Sequence, residues 1–387
     1  MEKVAIIGVG FTGARPDSPE LSYKELMYEA AVKAYEDSNV DPRKEIGSFI
    51  GASEDFWDGV SIFDEYLPDQ IGGALRPVCS ICNEGLHALA TGVMHIRAGI
   101  ADIVAVEAHS KVSDVVNPEG IMHFALDPIL DRTLDYNAHV MAGLEMNRYL
   151  HEACVTKEEC AEVVVKNRAN ALLNPYAPYG AKLCIDDVLD STPTYEPLSE
   201  LDTSNLVDGA CVIVLASEKV ARNKRAPVWI NGVGWCNDTP NVGLRDWGYP
   251  RYVRLAAEQA YADAGITNPY DEIDIAEVDD SYSYKELQHL EALRLVDTGE
   301  AAGFLCEGAF DINGELPVNA SGGSLGMGNL LDTNGLVKTF EAVEQLRGMA
   351  GQRQVKEAES ALVQSWRGVP TTSGAVMILG NEPSGGD

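Results

Sequence analysis

Basic residues are scarce: 29 Lys and Arg stand against 60 Asp and Glu, a net charge of −31 with histidine counted neutral. Such an excess repels phosphate backbones and anionic lipid, and no run of five basic residues interrupts it, so neither nucleic acid nor a membrane is an expected partner. Long apolar runs are missing too. The N-terminal stretch Val4–Val9 is too short for a signal peptide, and nowhere do the roughly 18 consecutive apolar residues of a membrane-spanning helix occur. The expectation is a soluble, cytoplasmic protein. Disulfide spacing is also absent: eight cysteines are scattered from Cys79 to Cys306, a pattern of reduced core and active-site thiols. What is present is apolar content, 45% of 387 residues, which excludes disorder and suffices for a large core of two or three units.

An internal repeat organises the chain. KVAIIGVG from Lys3 lies over PVWINGVG from Pro227, with Gly8 and Gly10 on Gly232 and Gly234. Similar helices are predicted after each, over Leu26–Val40 and Leu255–Ile266, sharing Ala-Tyr-x-Asp at Ala34–Asp37 and Ala260–Asp263. Strand-like runs follow at Ile103–Val106 and Ala375–Leu379, and each half has a Gly-rich turn leading into a helix. Alternating strands and helices indicate mostly parallel sheets covered on both faces. The units expected are a first half at 1–113, an inserted loop domain at 114–201, a return strand at 202–225 and a second half at 226–387. The tail Asn381–Asp387 is expected to fray.

Three motifs invite chemistry. Gly8-Val9-Gly10-Phe11-Thr12-Gly13 has dinucleotide-binding spacing, but that fingerprint needs a helix opening at its third glycine. Here Pro16 and Pro19 intervene and the helix begins near Ser22, so a plain strand-to-loop turn is expected. Gly322-Gly323-Ser324-Leu325-Gly326 matches the nucleophile elbow, which needs a histidine after the serine. The last histidine is His289, so a Gly-rich turn that lets backbone approach a ligand is expected. Cys79 and Cys82 form C-x-x-C without the second pair or the histidines that metal binding needs, so no metal site is expected in this chain. The sharper reading concerns Cys82 alone: a helix starting at the cysteine would lower its thiol pKa and poise it as a nucleophile.

Six segments in order resemble the thiolase superfamily, in its sterol-carrier-protein and archaeal branch. Cys79–Ala88 resembles the nucleophile motif C-x-S-G-x-x-A with Cys82 as nucleophile. Ala105–Ser113 resembles the strand ending in Glu-Lys-Met. Asn167–Pro175 and Asp208–Cys211 resemble the loop-domain Asn-Pro and DGAA signatures. Glu277–Leu293 resembles the HDCF segment, and Pro317–Gly335 the GHPxGATG segment. The resemblance implies an α/β fold of layered αβαβα type, built from two βαβ-rich halves with an inserted loop domain.

It implies as activity the CoA-dependent cleavage of a 3-oxoacyl-CoA through a Cys82 acyl-enzyme, in the degradative direction. Departures from the family pattern point to an aryl or carboxylated substrate such as benzoylsuccinyl-CoA. Asp279 stands for the family's HDCF histidine, Asn329 for the catalytic histidine after Gly328, and Gln364–Gly368 lacks the second cysteine or histidine. Asn329 can hold a thioester oxygen but cannot move a proton. The amides of Cys82 and of the Ser373-Gly374 turn are the implied oxyanion hole. Candidates for the missing acid/base are Glu84, Asp279, Asp280 and Tyr282, since a carboxylate in an apolar pocket can titrate near neutrality. Their alternatives are ordinary: a helix N-terminal carboxylate for Glu84, and capping or turn roles for Asp279 and Asp280. His87, on another face of the helix, reads as packed. Ser321, Gly322, Gly323, Lys166 and Arg168 are candidates for binding CoA, with Arg222 and Lys224 as further basic residues. A homodimer is the default, and the lost residues resemble those of subunits that assemble with a small zinc-ribbon/OB-fold protein holding the zinc. Competing readings are a retro-aldolase on a 3-hydroxyacyl-CoA, which would use Tyr282, and a catalytically silent subunit that scaffolds a partner.

Overall fold

The computed structural model describes residues 2–57, 59–60, 62–134, 137–368 and 372–384. The expected tail lies partly outside them. Its first half contains β1 (Val4–Phe11), α1 (Tyr23–Ser38), β2 (Ser48–Ala52), β3 (Val78–Ile81), α2 (Gly85–Arg97) and β4 (Ile103–Ser110). A largely helical excursion with α3 (Ala138–Ala153) and α4 (Lys157–Ala171) leads back to β5 (Gly209–Ser217). The second half runs β6 (Val228–Asn237), α5 (Arg251–Ala264), β7 (Ile275–Glu277), α6 (Ser283–Ala292), α7 (Asn334–Leu346), β8 (Ser360–Arg367) and β9 (Ser373–Gly380).

Hydrogen bonding joins nine strands in the order β3-β2-β4-β5-β1-β6-β9-β8-β7. β1 and β6 are equivalent, as the repeat requires. Each pairs antiparallel with the last strand of its half, and each has a register shift at the same place, between Ile6 and Gly8 and between Ile230 and Gly232. The counterpart of β4 is β8 and that of β5 is β9, since β2 and β4 pair in parallel as β7 and β8 do. The sequence comparison had set Ile103–Val106 beside Ala375–Leu379, one strand out, because both are short apolar runs of one kind. The halves meet where β1 pairs antiparallel with β6: Val4 with Ile230, Ala5 with Trp229 and Ile6 with Val228.

Alternating residues of the strands build three cores. Ala5 and Ile7 point to α1 on one outer face, while Val4 and Ile6 point inward to a middle layer containing α2 and α7. Val376 and Ile378 face the opposite outer layer of α5 and the inserted helices; Met377 and Leu379 face the middle. The sheet is mixed, with five antiparallel and three parallel pairings rather than the mostly parallel arrangement expected, but its strands are buried on both faces, which explains the unbroken apolar runs. The paired glycines have a packing cause. A methyl at Gly8 or Gly10 would lie 2.5 Å from the Ala34 carbonyl or 2.2 Å from that of Ala30, and one at Gly232 or Gly234 would lie 2.1 Å from Ala260 O or 2.0 Å from Ala256 O. The GVG motif thus seats α1 and α5 against their strands. Helix ends follow local chemistry: the Ser22 amide donates to Glu25 Oε2 (2.7 Å) before α1, and the Thr156 amide to Glu159 Oε2 (2.7 Å) before α4.

Candidate active site

The segment after β3 carries Cys82, exposed, at the mouth of a cleft of about 410 Å3 that is also lined by Asn83, Ser373 and Arg367. The helix does not start at the cysteine: α2 begins at Gly85 with Glu84 as its N-cap. The expected lowering of the thiol pKa is reversed. Glu84 already occupies the positive helix end, and local crowding followed by the carboxylates of Glu54, Asp55 and Asp332 pushes the Cys82 thiol up, with Arg367 opposing. Cys82 therefore rests as a thiol and must lose its proton before it can attack.

Glu84 is buried and its carboxylate is engaged on several sides. It accepts from Leu86 N (3.0 Å), from Gly335 N at the start of α7 and from Ser365 Oγ of β8. Its observed role is the helix cap that ties α2 to the second half. His87 packs buried beside it, with Nδ1 3.5 Å from Glu84 Oε2.

Beside the Cys82 cleft lies a second cavity of about 90 Å3, lined among others by Asn329, Ser281, Tyr282, Trp57, Met122 and Trp366. Glu54, Ala125 and Arg367 belong to both walls, and the Glu54 carboxylate pairs there with the Arg367 guanidinium. Asn329 is fixed in orientation. Its Oδ1 accepts from Leu331 N (2.9 Å) and Asn334 Nδ2 (2.8 Å), which leaves Nδ2, loosely placed 3.5 Å from Ser281 Oγ, as the donor at the cavity. Tyr282 is held by the returning chain, which bridges to it at Thr203, and its hydroxyl is 3.1 Å from His139 Nδ1. Burial, then Glu145 and Asp279, push the Tyr282 phenol up and keep it protonated. Gly374 lies within β9 between Cys236 and Trp366 of the flanking strands; Ser373 lines the cleft in its place. Residues 369–371, which enter that turn, are outside the described set.

Asp279 is buried behind this wall. Burial raises its carboxyl to about 6 against the opposing Lys338 charge, one oxygen accepts from Ser281 N (3.0 Å) and the other has no partner. Asp280 performs the turn role: its oxygens accept from Ser324 N (2.6 Å) and Leu325 N (3.1 Å). These bonds correct the expectation for the Gly-rich loop. Ser321, Gly322 and Gly323 are buried, Ser321 bonds to Glu277 (2.6 Å), and a methyl on Gly323 would strike Asp280 Oδ2 at 2.1 Å. The close backbone approach is to the protein's own carboxylate. Lys166 is buried against Glu286 (3.0 Å), and Arg168 is buried against the Tyr179 carbonyl (3.0 Å). Arg222 pairs with Glu218, and Lys224 donates to the Ser38 carbonyl (3.0 Å). Among the described residues, Arg367 is the sole Lys, Arg or His lining either cavity.

Sequence reading missed Glu54, Arg367 and His139, which carry no local motif; Glu54 and Arg367 are 313 residues apart, and His139 and Tyr282 are 143 apart. Among the described residues, no helix is long and apolar enough to cross a membrane, and no group of three His, Cys, Asp or Glu could hold a metal ion.

The two-half layered α/β fold places a cysteine after the third strand in one cleft and an asparagine amide in the cavity beside it. Comparison identifies the family. Residues 214–381 match the thiolase C-terminal domain-like model. The acetyl-CoA acetyltransferase of Methanothermobacter thermautotrophicus is 30% identical over 96% of this chain and 98% of its own. The benzoylsuccinyl-CoA thiolase subunit BbsB of Thauera aromatica is 26% identical, covering 92% and 91%. A solved structure described as an Ltp2-ChsH2(DUF35) aldolase superposes with a TM-score of 0.83 at 26% identity, covering 98% and 97%. The chain belongs to the thiolase family and is an enzyme of the acyltransferase kind.

Proposed function

We propose that the protein catalyses CoA-dependent thiolytic cleavage of a 3-oxoacyl-CoA, with Cys82 forming the acyl-enzyme. The observation that carries this reading is the orientation of Asn329, whose locked amide presents its N–H donors to the cavity beside the Cys82 cleft. Deprotonated Cys82 attacks the 3-oxo carbon; the C2–C3 bond then breaks, and its electron pair becomes the enolate of the departing acyl-CoA. A donor fixed at the enolate oxygen is worth about 10²–10³ in rate, because it needs no reorganisation as charge develops. CoA thiol then displaces the acyl group from Cys82.

Cys82 lines the cleft of about 410 Å3, so the acyl group it would carry lies there, while the enolate lies beside Asn329 in the inner cavity of about 90 Å3. Arg367, the cation of both walls, is already neutralised by Glu54, which weighs against a carboxylated acyl group such as that of benzoylsuccinyl-CoA.

An assembly completes the proposal. β3 is an edge strand paired on one side and half-exposed along its length, the kind of strand through which two copies join. The small zinc-ribbon/OB-fold partner also remains part of it, because among the described residues neither cavity has a free cation for CoA phosphates. A second reading, retro-aldol cleavage, is favoured by the Tyr282 hydroxyl in the cavity and by the aldolase of similar structure.

The test is intact-protein mass spectrometry with short, aromatic and dicarboxylic acyl-CoAs, for wild type and Cys82→Ala. We expect an acyl-sized gain from an uncharged acyl-CoA that Cys82→Ala loses. Cleavage of a 3-hydroxyacyl-CoA by Cys82→Ala would establish the aldolase instead, and absence of both reactions would leave a scaffold.

A further inference from the structure

We propose that His139, a residue of the inserted segment, makes Tyr282 the proton carrier of the inner cavity by orienting its hydroxyl and replenishing the hydroxyl proton. The proposal rests on the thiolytic reading and supplies the acid/base that the lost family histidines leave open.

The geometry begins at the start of α3. Asn137 caps that helix, accepting from Val140 N (2.9 Å), and its Nδ2 donates to Tyr195 OH (2.7 Å). Tyr195 stacks on the His139 ring (6.2 Å between centroids, 6° between planes), and the Tyr282 ring meets it edge-on (5.9 Å, 77°). The imidazole is thus fixed by two aromatic contacts with Nδ1 3.1 Å from Tyr282 OH. It stands in the first turn of α3, where the helix end disfavours a cation. Burial lowers its pKa further, against the opposing charge of Glu119. In its Nδ1–H tautomer the neutral imidazole donates to the phenol oxygen, which leaves the phenol proton to face the cavity. On the cavity side, Tyr282 stands with Asn329 and Ser281, so the proton donor and the oxyanion donor share one small space.

The proton balance closes with solvent as the only further participant. Cys82 releases its thiol proton to solvent before attack. When the C2–C3 bond breaks, the Tyr282 proton passes to C2 of the enolate. The phenolate takes the Nδ1 proton of His139 as Nε2 of the half-buried imidazole recovers one from solvent, so the ring stays neutral throughout. Run backwards, the same carrier removes an α-proton from an acyl-CoA.

That reverse step gives a test independent of acyl-enzyme formation: exchange of the α-protons of acetyl-CoA with D2O, followed by mass spectrometry. Tyr282→Phe and His139→Ala are each expected to slow exchange about 10²-fold, the lower end of the usual contribution of general acid–base catalysis. Millimolar imidazole should restore part of the His139→Ala loss and nothing in Tyr282→Phe, a response that a merely structural histidine would not give. His139→Gln, which preserves a hydrogen-bonding side chain but carries no proton, should remain slow. It serves as the deciding variant if His139→Ala fails to fold. Exchange at the wild-type rate in either histidine variant would overturn the proposal. Failure of Cys82 to acylate while exchange still depends on His139 would instead sink the thiolytic reading and leave the proton carrier standing.

Discussion

Adding one methyl group at Gly10 or Gly234 tests whether these glycines exist to seat helices. At Gly10 the new carbon would lie 2.2 Å from the Ala30 carbonyl and 2.5 Å from the Ala34 amide; at Gly234 it would lie 2.0 Å from the Ala256 carbonyl. Comfortable contact is about 3.5 Å, so α1 or α5 would have to retreat by about 1 Å along much of its length. The obstacles are backbone atoms, and no rotamer change relieves them. Overpacking of this kind costs about 1–3 kcal/mol, and both variants are expected at the upper end, about 3 kcal/mol. Gly303→Ala is the control. It lies in the short helix Ala301–Cys306, where an added methyl meets nothing within 4 Å, so it should stabilise by about 0.5–1 kcal/mol. Urea unfolding followed by circular dichroism reads the difference as a shift in midpoint at constant slope. The two glycine variants should fall by similar amounts, because the two sites have the same geometry. A Gly10→Ala protein with the wild-type midpoint would refute the helix-seating explanation and reopen a ligand role for that loop.

Alkylation of Cys82 by iodoacetamide should show a midpoint above that of an ordinary thiol; Glu54→Gln should lower it and Arg367→Gln raise it, since the first removes a carboxylate and the second a cation. A wild-type midpoint below about 8 would contradict the electrostatics described here. Asp279→Asn should stabilise the protein at high pH. The folded-state carboxyl titrates at about 6 against an ordinary 3.8, so its contribution is present at acid pH and is lost as pH rises through 6. The variant should gain about 3 kcal/mol at pH 8 and nothing below about pH 4. Equal stabilities of wild type and variant at pH 8 would show that the buried oxygen has a partner.

The repeat, the glycine pairs and the cysteine were legible in the sequence because each is written in contiguous residues or in a spacing that recurs. α1 and α5 fall within a few residues of their predicted spans for the same reason. The state of Cys82 was not legible. It depends on Glu54, Asp55 and Asp332, and on a helix that begins three residues later than the Cys-to-Gly spacing suggested. The Gly-rich loop misled because glycine signals close approach without saying to what; here the approaching group is Asp280. His139 was invisible for a related reason. Only the return of the inserted segment over the second half brings its imidazole to Tyr282.

The seam between the halves has a consequence for ancestry. In the alignment of the repeat, Val4 corresponds to Val228 and Ile6 to Ile230, while the strands pair Val4 with Ile230, Ala5 with Trp229 and Ile6 with Val228. Each position therefore faces the counterpart of its mirror position, about a centre at Ala5 and Trp229. That is the self-complementary pattern of a two-fold interface between identical subunits. A gene encoding one half could have folded as a homodimer through its first strand, and fusion of two copies would have preserved that contact while freeing each half to diverge. Cys82 now lies in one copy and Asn329 in the other, so the two cavities of the present chain draw on both halves of that pair.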